Sequence, residues 1–427
     1  MSNIMERVLD KIEGKQVEVT VVDGICGKGK SSWAIQHIID NPRCKYIYIT
    51  PYLDEITRVV DSCGKEGVKL SQPQVHKGRG KKINHFKDML SKGENIVCTH
   101  ALIDYWDEEC EGIIDKYGYI LIMDEVHNVI NPYTFDEEDI NMLFKNNYFE
   151  IGERGRLTWV GEYKGSMFNE FRNLCEQGAL YYYGGKLYVW AFPVGLFRSM
   201  KQIYVLTWYF EAQLQAYYYK FNNIKYTMKT VSLNDGKYIL KDYDVVEAMV
   251  DSKSMLSLIN LYEGKLNYSS VDKIKLTSTW YNKGDQDAIK TVRDNTYNYL
   301  KNVLKGNSQN SMWTCKKDKQ EVIKGRGYST CFIPINARAT NAYRHKENCA
   351  YLYNVYMNPI EKQFFLSHNI RVNEELYALT ELLQWVFRSR VRMGEPINLY
   401  LPSYRMREQI YKNYLELVDK FVGGRND

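Results

Sequence analysis

Short apolar runs closed by polar or glycine-rich stretches recur along the chain, and segments with helical spacing lie between them. Val17–Val22, Cys44–Thr50, Asn95–Leu102, Tyr119–Met123 and Gln202–Phe210 have the length and the β-branched or aromatic content of buried strands. Trp33–Ile39 and Tyr52–Val60 carry helical periodicity, and residues 1–16 predict an amphipathic lead-in helix with Ile4, Val8, Leu9 and Ile12 on its apolar side. From 131 to 200 the pattern loosens. There Tyr181–Trp190 alternates around Gly184-Gly185 and predicts a hairpin, either a strand-separating pin or a cap on a sheet edge. After the Asn234-Asp235-Gly236 turn the alternation resumes. Strands are expected at Lys273–Ser278, Ser329–Ile335, Cys349–Tyr356 and Ile397–Leu401, with helices at Asp287–Val303, about Glu374 to Arg392, and Tyr404–Val422. Strands alternating with helices in both halves predict an α/β fold with mainly parallel sheets flanked by helices. A boundary near Phe221 divides residues 1–220 from 221–427.

Composition changes this picture little. A chain of 427 residues suits two domains, and 44% hydrophobic content is that of an ordinary globular protein. No apolar run approaches 18 residues and the start lacks the apolar core of a signal peptide, so the expectation is a soluble, cytoplasmic protein with no membrane partner. The nine cysteines include no C-x-x-C pair and no His/Cys cluster at ligand spacing, so neither a zinc site nor a disulfide framework is indicated. Cys26 lies inside a glycine-rich loop and favours a reducing compartment. The net charge of +5 does not by itself imply nucleic acid.

Candidate chemistry changes it more. Gly24 through Ser31 fits G-x-x-x-x-G-K-[ST] between a predicted strand and a predicted helix, where a phosphate loop must lie. Gly24, Gly27, Gly29, Lys30, Ser31 and Ser32 are the expected nucleotide contacts, with backbone N–H groups turned toward a polyphosphate and a helix N-terminus behind them. Lys30 would reach the β- and γ-phosphates, and Ser31 would help hold Mg²⁺. Tyr119–Met123 runs straight into Asp124 and Glu125, as a buried parallel strand delivers acids to its carboxyl edge. Asp124 is expected at the metal and Glu125 at the attacking water. The basic loop His76–Lys82, with Lys81 and Lys82, fits either nucleic-acid phosphates or solvent.

With these motifs in order, the chain resembles superfamily-2 helicases of the DExH/DEAD type, in particular the compact branch of bacteriophages and mobile elements. Gly24–Ser31 matches the Walker A motif and Asp124-Glu125-Val126-His127 is a D-E-x-H box. Thr50-Pro51 and Cys98-Thr99-His100 look like the first domain's nucleic-acid segments. Leu206-Thr207-Trp208 stands where the coupling motif stands, with Trp208 departing from the small residue expected. Asn336–Asn341 and Gln384–Arg392 occupy the places of the fifth and sixth motifs. The resemblance implies two RecA-like P-loop domains in tandem, ATP and Mg²⁺ as cofactors, and nucleic acid, DNA before RNA, as partner. It further implies contacts through Thr50, Thr99, His100, Asn336, Arg338 and Thr340, and a place beside phage replication or recombination proteins in the host cytoplasm. His127 and Gln384 are then expected to link the nucleic-acid groove to the nucleotide. An ATPase that loads or remodels nucleoprotein without unwinding would share every ATP-site residue.

The sixth motif departs from Gln-x-x-Gly-Arg-x-x-Arg, since Phe387 and Val391 stand at two of its fixed positions. On a continuous helix, steps of four advance about 40° beyond a full turn, which puts Gln384, Arg388 and Arg392 on one face. Arg388 and Arg392 are therefore the expected charges for the γ-phosphate.

Overall fold

The computed structural model describes residues 15–51, 53–78, 80–162, 165, 167–184, 187–267, 275–335 and 342–423. Residues 1–14 of the predicted lead-in helix, the Asn336–Asn341 segment and the Gly185 turn fall outside them. The chain forms two compact units, the first from residues up to Asp23, Gly29–Asp242 and Asn358–Val372, the second from Gly24–Lys28, Tyr243–Met357 and Asn373 onward. Both are α/β with mainly parallel sheets flanked by helices, as the alternation predicts.

In the first unit, strands β1 (Glu18–Asp23), β2 (Lys45–Thr50), β3 (Ile96–Thr99) and β4 (Tyr119–Asp124) carry almost unbroken burial, as strands covered on both faces must. An insertion follows, with β5 (Ile130–Tyr133), β6 (Phe149–Ile151), β7 (Leu157–Trp159), β8 (Leu180–Tyr183) and β9 (Leu187–Ala191). The chain then returns to the main sheet through β10 (Gln202–Thr207), β11 (Thr227–Asn234) and β12 (Lys237–Asp242). Among the described residues the main sheet runs β12-β11-β1-β10-β4-β2-β3, antiparallel only at β12. Helix Lys30–Asp40 buries Trp33, Ala34 and Ile38, and helix Leu53–Lys65 buries Ile56, Val59 and Cys63. These faces, with Ala34 and Ile38 spaced i, i+4 and Ile56, Val59 and Cys63 spaced i, i+3, i+7, pack on Tyr46, Tyr48, Ile120, Ile122 and Leu206 of the sheet.

The boundary lies beyond its expected place. β11 and β12 extend the first sheet, so the chain leaves this unit after Asp242 rather than near Phe221. It also returns once, because helix Pro359–Ser367 belongs to the first unit, with the Phe364 ring edge-on to Tyr181 and tilted against Phe221. The Tyr181–Trp190 hairpin forms, but its strands join β5 in one small sheet, and Tyr182 and Tyr188 pack on the insertion's own core.

The second unit holds a parallel sheet in the order β13-β16-β15-β14, with β13 at Ile259–Leu261, β14 at Ser311–Thr314, β15 at Asn348–Tyr351 and β16 at Ile397–Tyr400. Three expectations change here. Lys275 and Leu276 are not in a strand, and Ser278 opens a helix. Ser329–Cys331 is a 3₁₀ turn, leaving Phe332 a single bridge to Trp313. The helix from Glu374 ends at Val386, and a separate 3₁₀ turn spans Arg390–Met393. Among the described residues no helix is long and apolar enough to cross a membrane.

Candidate functional site

Three neighbouring strands of the first unit end at one edge of the sheet. Register aligns Asp23 of β1 with Thr207 of β10, and Leu206 of β10 with Asp124 of β4. The phosphate-loop strand and the acid-bearing strand are thus separated by one strand, and their carboxyl ends lie at the same edge of the sheet.

The loop after β1 turns as its glycines allow. Gly27 and Gly29 take φ of 87° and 90°, and Gly29 caps helix Lys30–Asp40 in the left-handed region. A Cβ on Gly29 would stand 2.4 Å from the Tyr238 ring. The first residues of that helix, Lys30 and Ser31, then face the end of β4. The Ser31 hydroxyl lies 3.3 and 3.2 Å from the two carboxylate oxygens of Asp124, so the two expected metal-holding groups converge. Asp124 is buried and also accepts the Tyr48 phenol at 3.2 Å. Burial, reinforced by Glu55 and Glu125, pushes its carboxyl up to about 7, with Lys30 and Ser31 opposing. A buried carboxylate, a serine hydroxyl and a neighbouring lysine make an oxygen-rich donor set that fits a hard divalent cation completing its shell with phosphate and water. Among the described residues no group of three or more His, Cys, Asp or Glu side chains forms a self-sufficient metal site.

Glu125 lies just past the strand with φ of 71°, an unusual conformation for a non-glycine residue. Its N–H is held by the Leu206 carbonyl at 2.9 Å, and its carboxylate lies 3.5 Å from the Thr207 hydroxyl. Asp23 is buried one residue before the loop. It accepts the backbone N–H groups of Tyr209 and Phe210, and burial pushes it up to about 6. On the other side of β4, His100 Nε2 donates to the Asp124 carbonyl at 3.2 Å, and its ring lies 5.6 Å from that of His127. His127 Nε2 reaches Asp104 at 3.1 Å, while its backbone N–H donates to Gln215.

The other predicted residues divide. Ser32 and Thr99 are half-buried at the loop and at the end of β3, and Lys81 and Lys82 are exposed where helix Lys82–Ser91 begins. Thr50 is fully buried, with no partner for its hydroxyl among the described residues, so its side chain is not an accessible nucleic-acid contact. Asn336, Arg338 and Thr340 lie outside the described residues. In the second unit, Gln384 is half-buried on its helix, but the chain leaves that helix before Arg388, so the shared face of Gln384, Arg388 and Arg392 does not form. Arg388 is buried and donates Nη1 to the Ile335 carbonyl at 3.0 Å, whereas Arg392 is half-exposed. Asp23, Tyr48, Glu55 and Asp104 escape motif reading. The one sequence signal for Tyr48 is a phenol on the same two-residue period as the strand's polar end, Thr50.

Family models match two segments, the YonV C-terminal Rossmann-like domain over residues 253–415 and the YonV middle domain over 130–190, the latter coinciding with the insertion. The SPbeta prophage-derived protein YonV of Bacillus subtilis is 34% identical over 402 residues, covering 91% of this chain and 97% of its own. Among solved structures, Xpd4 of S. tokodaii aligns over 96% of this chain and 97% of its own at 12% identity, with a TM-score of 0.45. The helicase MrfA bound to DNA aligns over 98% of this chain and 48% of its own at 8% identity, with a TM-score of 0.33.

Proposed function

The chain belongs to the YonV family, and from its phosphate-loop motif and the strand-end acids of its first unit we propose that it is a nucleic-acid-dependent ATPase of the superfamily-2 type, a helicase or translocase acting on DNA. The observation that carries this reading is the approach of Ser31 to Asp124 within 3.3 Å, beside Lys30 and at the mouth of a left-handed glycine turn. Lys30 and the loop N–H groups would hold the phosphates, and Ser31 and Asp124 would hold the metal. Magnesium, when bound, supplies charge that neutralises the phosphate oxygens. Glu125 accepts a proton from the attacking water, and the Leu206 carbonyl fixes its backbone for that task. Arg392 is the guanidinium of the second unit best suited to join the γ-phosphate, because Arg388 is committed to Ile335. His100 and His127 tie the end of β3 to the Asp124 backbone and give nucleic acid a route to the nucleotide.

One observation favours an ATPase that moves along or remodels nucleic acid without separating strands: the hairpin rings Tyr182 and Tyr188 are packed into the insertion and do not form a free pin. The test is ATP turnover with single-stranded DNA, duplex DNA and RNA side by side at fixed salt, set beside strand displacement. Stimulation by DNA supports the proposal, and the absence of any hydrolysis rejects it.

A further inference from the structure

Beneath the Ser31–Asp124 pair lies a buried phenol that no motif assigns. Tyr48 sits on β2 opposite Ile122 of β4, is fully buried, and directs its hydroxyl to Asp124 Oδ2 at 3.2 Å. Two residues earlier on the same strand face, Tyr46 is equally buried, but its hydroxyl meets the Asn41 carbonyl at 3.3 Å, away from the acids. Behind Tyr48, Glu55 on helix Leu53–Lys65 binds Arg58 through Nε at 3.0 and 2.9 Å, and both charges act on Tyr48 and on Asp124. The phenol is held far from ionisation by burial and by Asp124 and Glu55, so it serves as a hydrogen-bond donor.

A carboxylate that binds a cation through one oxygen leaves the other to be satisfied by the protein, and a buried oxygen without a donor is costly. Ser31 touches both oxygens of Asp124 and is itself expected to turn toward the cation. Tyr48 is the donor that stays. We propose that Tyr48 is the positioning residue of this carboxylate, fixing Asp124 through Oδ2 so that Oδ1 is presented to a divalent cation. The proposal rests on the ATPase reading above.

The experiment uses the full chain as wild type, Tyr48→Phe and Tyr46→Phe. Mn²⁺ binding in the presence of ADP is followed by electron paramagnetic resonance, ADP affinity is measured in EDTA, and ATP turnover is titrated with Mg²⁺. The expected result is Mn²⁺ binding weakened about fivefold or more in Tyr48→Phe, with a matching rise in half-saturating Mg²⁺. ADP affinity in EDTA should stay unchanged, and Tyr46→Phe should move neither metal readout. Wild-type binding of Mn²⁺ and ADP with Tyr48→Phe unchanged, or with Tyr46→Phe weakened as much, overturns the role of Tyr48 and leaves the ATPase reading standing. A wild type that binds neither ADP nor the Mn²⁺–ADP pair overturns both.

Discussion

Asp23 Oδ2 accepts the backbone N–H of Phe210 at 2.7 Å, and Oδ1 accepts that of Tyr209 at 3.0 Å. The residue that launches the phosphate loop thereby fixes the turn after β10, where Tyr209 takes φ of 58°. That turn follows directly on Thr207, the last residue of β10 and the neighbour of Glu125, so one carboxylate links loop, turn and acid.

Removing this acceptor leaves two N–H groups without it, each costing about 1–3 kcal/mol if buried. Asp23→Ala is expected to lower stability by roughly 2–5 kcal/mol and to weaken nucleotide binding. Asp23→Asn retains an acceptor oxygen and removes a buried charge, so its loss should be smaller. Urea unfolding at pH 7 checks both, and equal losses in the two variants would contradict this account.

Asp124 gives the pH dependence. Its folded carboxyl, at about 7, lies above the ordinary 3.8. The sign follows from linkage: the contribution of this group is fully present below about pH 4 and is lost as pH rises through 7. Asp124→Asn, which cannot ionise, should therefore unfold at a higher temperature than wild type at pH 8 without metal, and the gap should shrink by pH 5. Cation binding must also displace a proton below pH 7, so Mg²⁺ affinity with ADP should fall about tenfold per pH unit there and level off above it. Calorimetry at pH 6 and pH 8 measures the difference.

Glu125→Gln isolates the water-activating role, because the backbone constraint from Leu206 survives the substitution. ATP binding should remain within about twofold, while turnover falls by about 10² to 10⁴. Unchanged kcat would remove Glu125 from the chemistry.

The phosphate loop and the acidic strand end were legible because each is a local strand-to-loop signal whose residues stand together in the chain. What escaped depends on register or on a broken element. Asp23 and Tyr48 matter because strands distant in sequence bring Phe210 and Asp124 to them. β11 and β12 escaped because only Thr230 and Val231 of their residues are buried and the polar remainder resembles a linker. The Arg388 geometry failed because it assumed a continuous helix, whereas the chain turns at Phe387–Ser389 and draws Arg388 inward to Ile335.

That inward turn separates the two arginines experimentally. Arg388 is 4% exposed and fastened to a backbone carbonyl, so Arg388→Ala removes a buried charge-assisted hydrogen bond and should lower stability by about 1.5–3 kcal/mol. Arg392, half-exposed on the 3₁₀ turn, has no such burial to lose. Arg392→Ala should therefore unfold at the wild-type temperature and still bind ATP, yet hydrolyse it about 10³-fold more slowly if its guanidinium stabilises the transferring phosphoryl group. Thermal unfolding and single-turnover hydrolysis on the same preparations distinguish a brace from a catalytic charge. Normal hydrolysis in Arg392→Ala would remove Arg392 from the reaction.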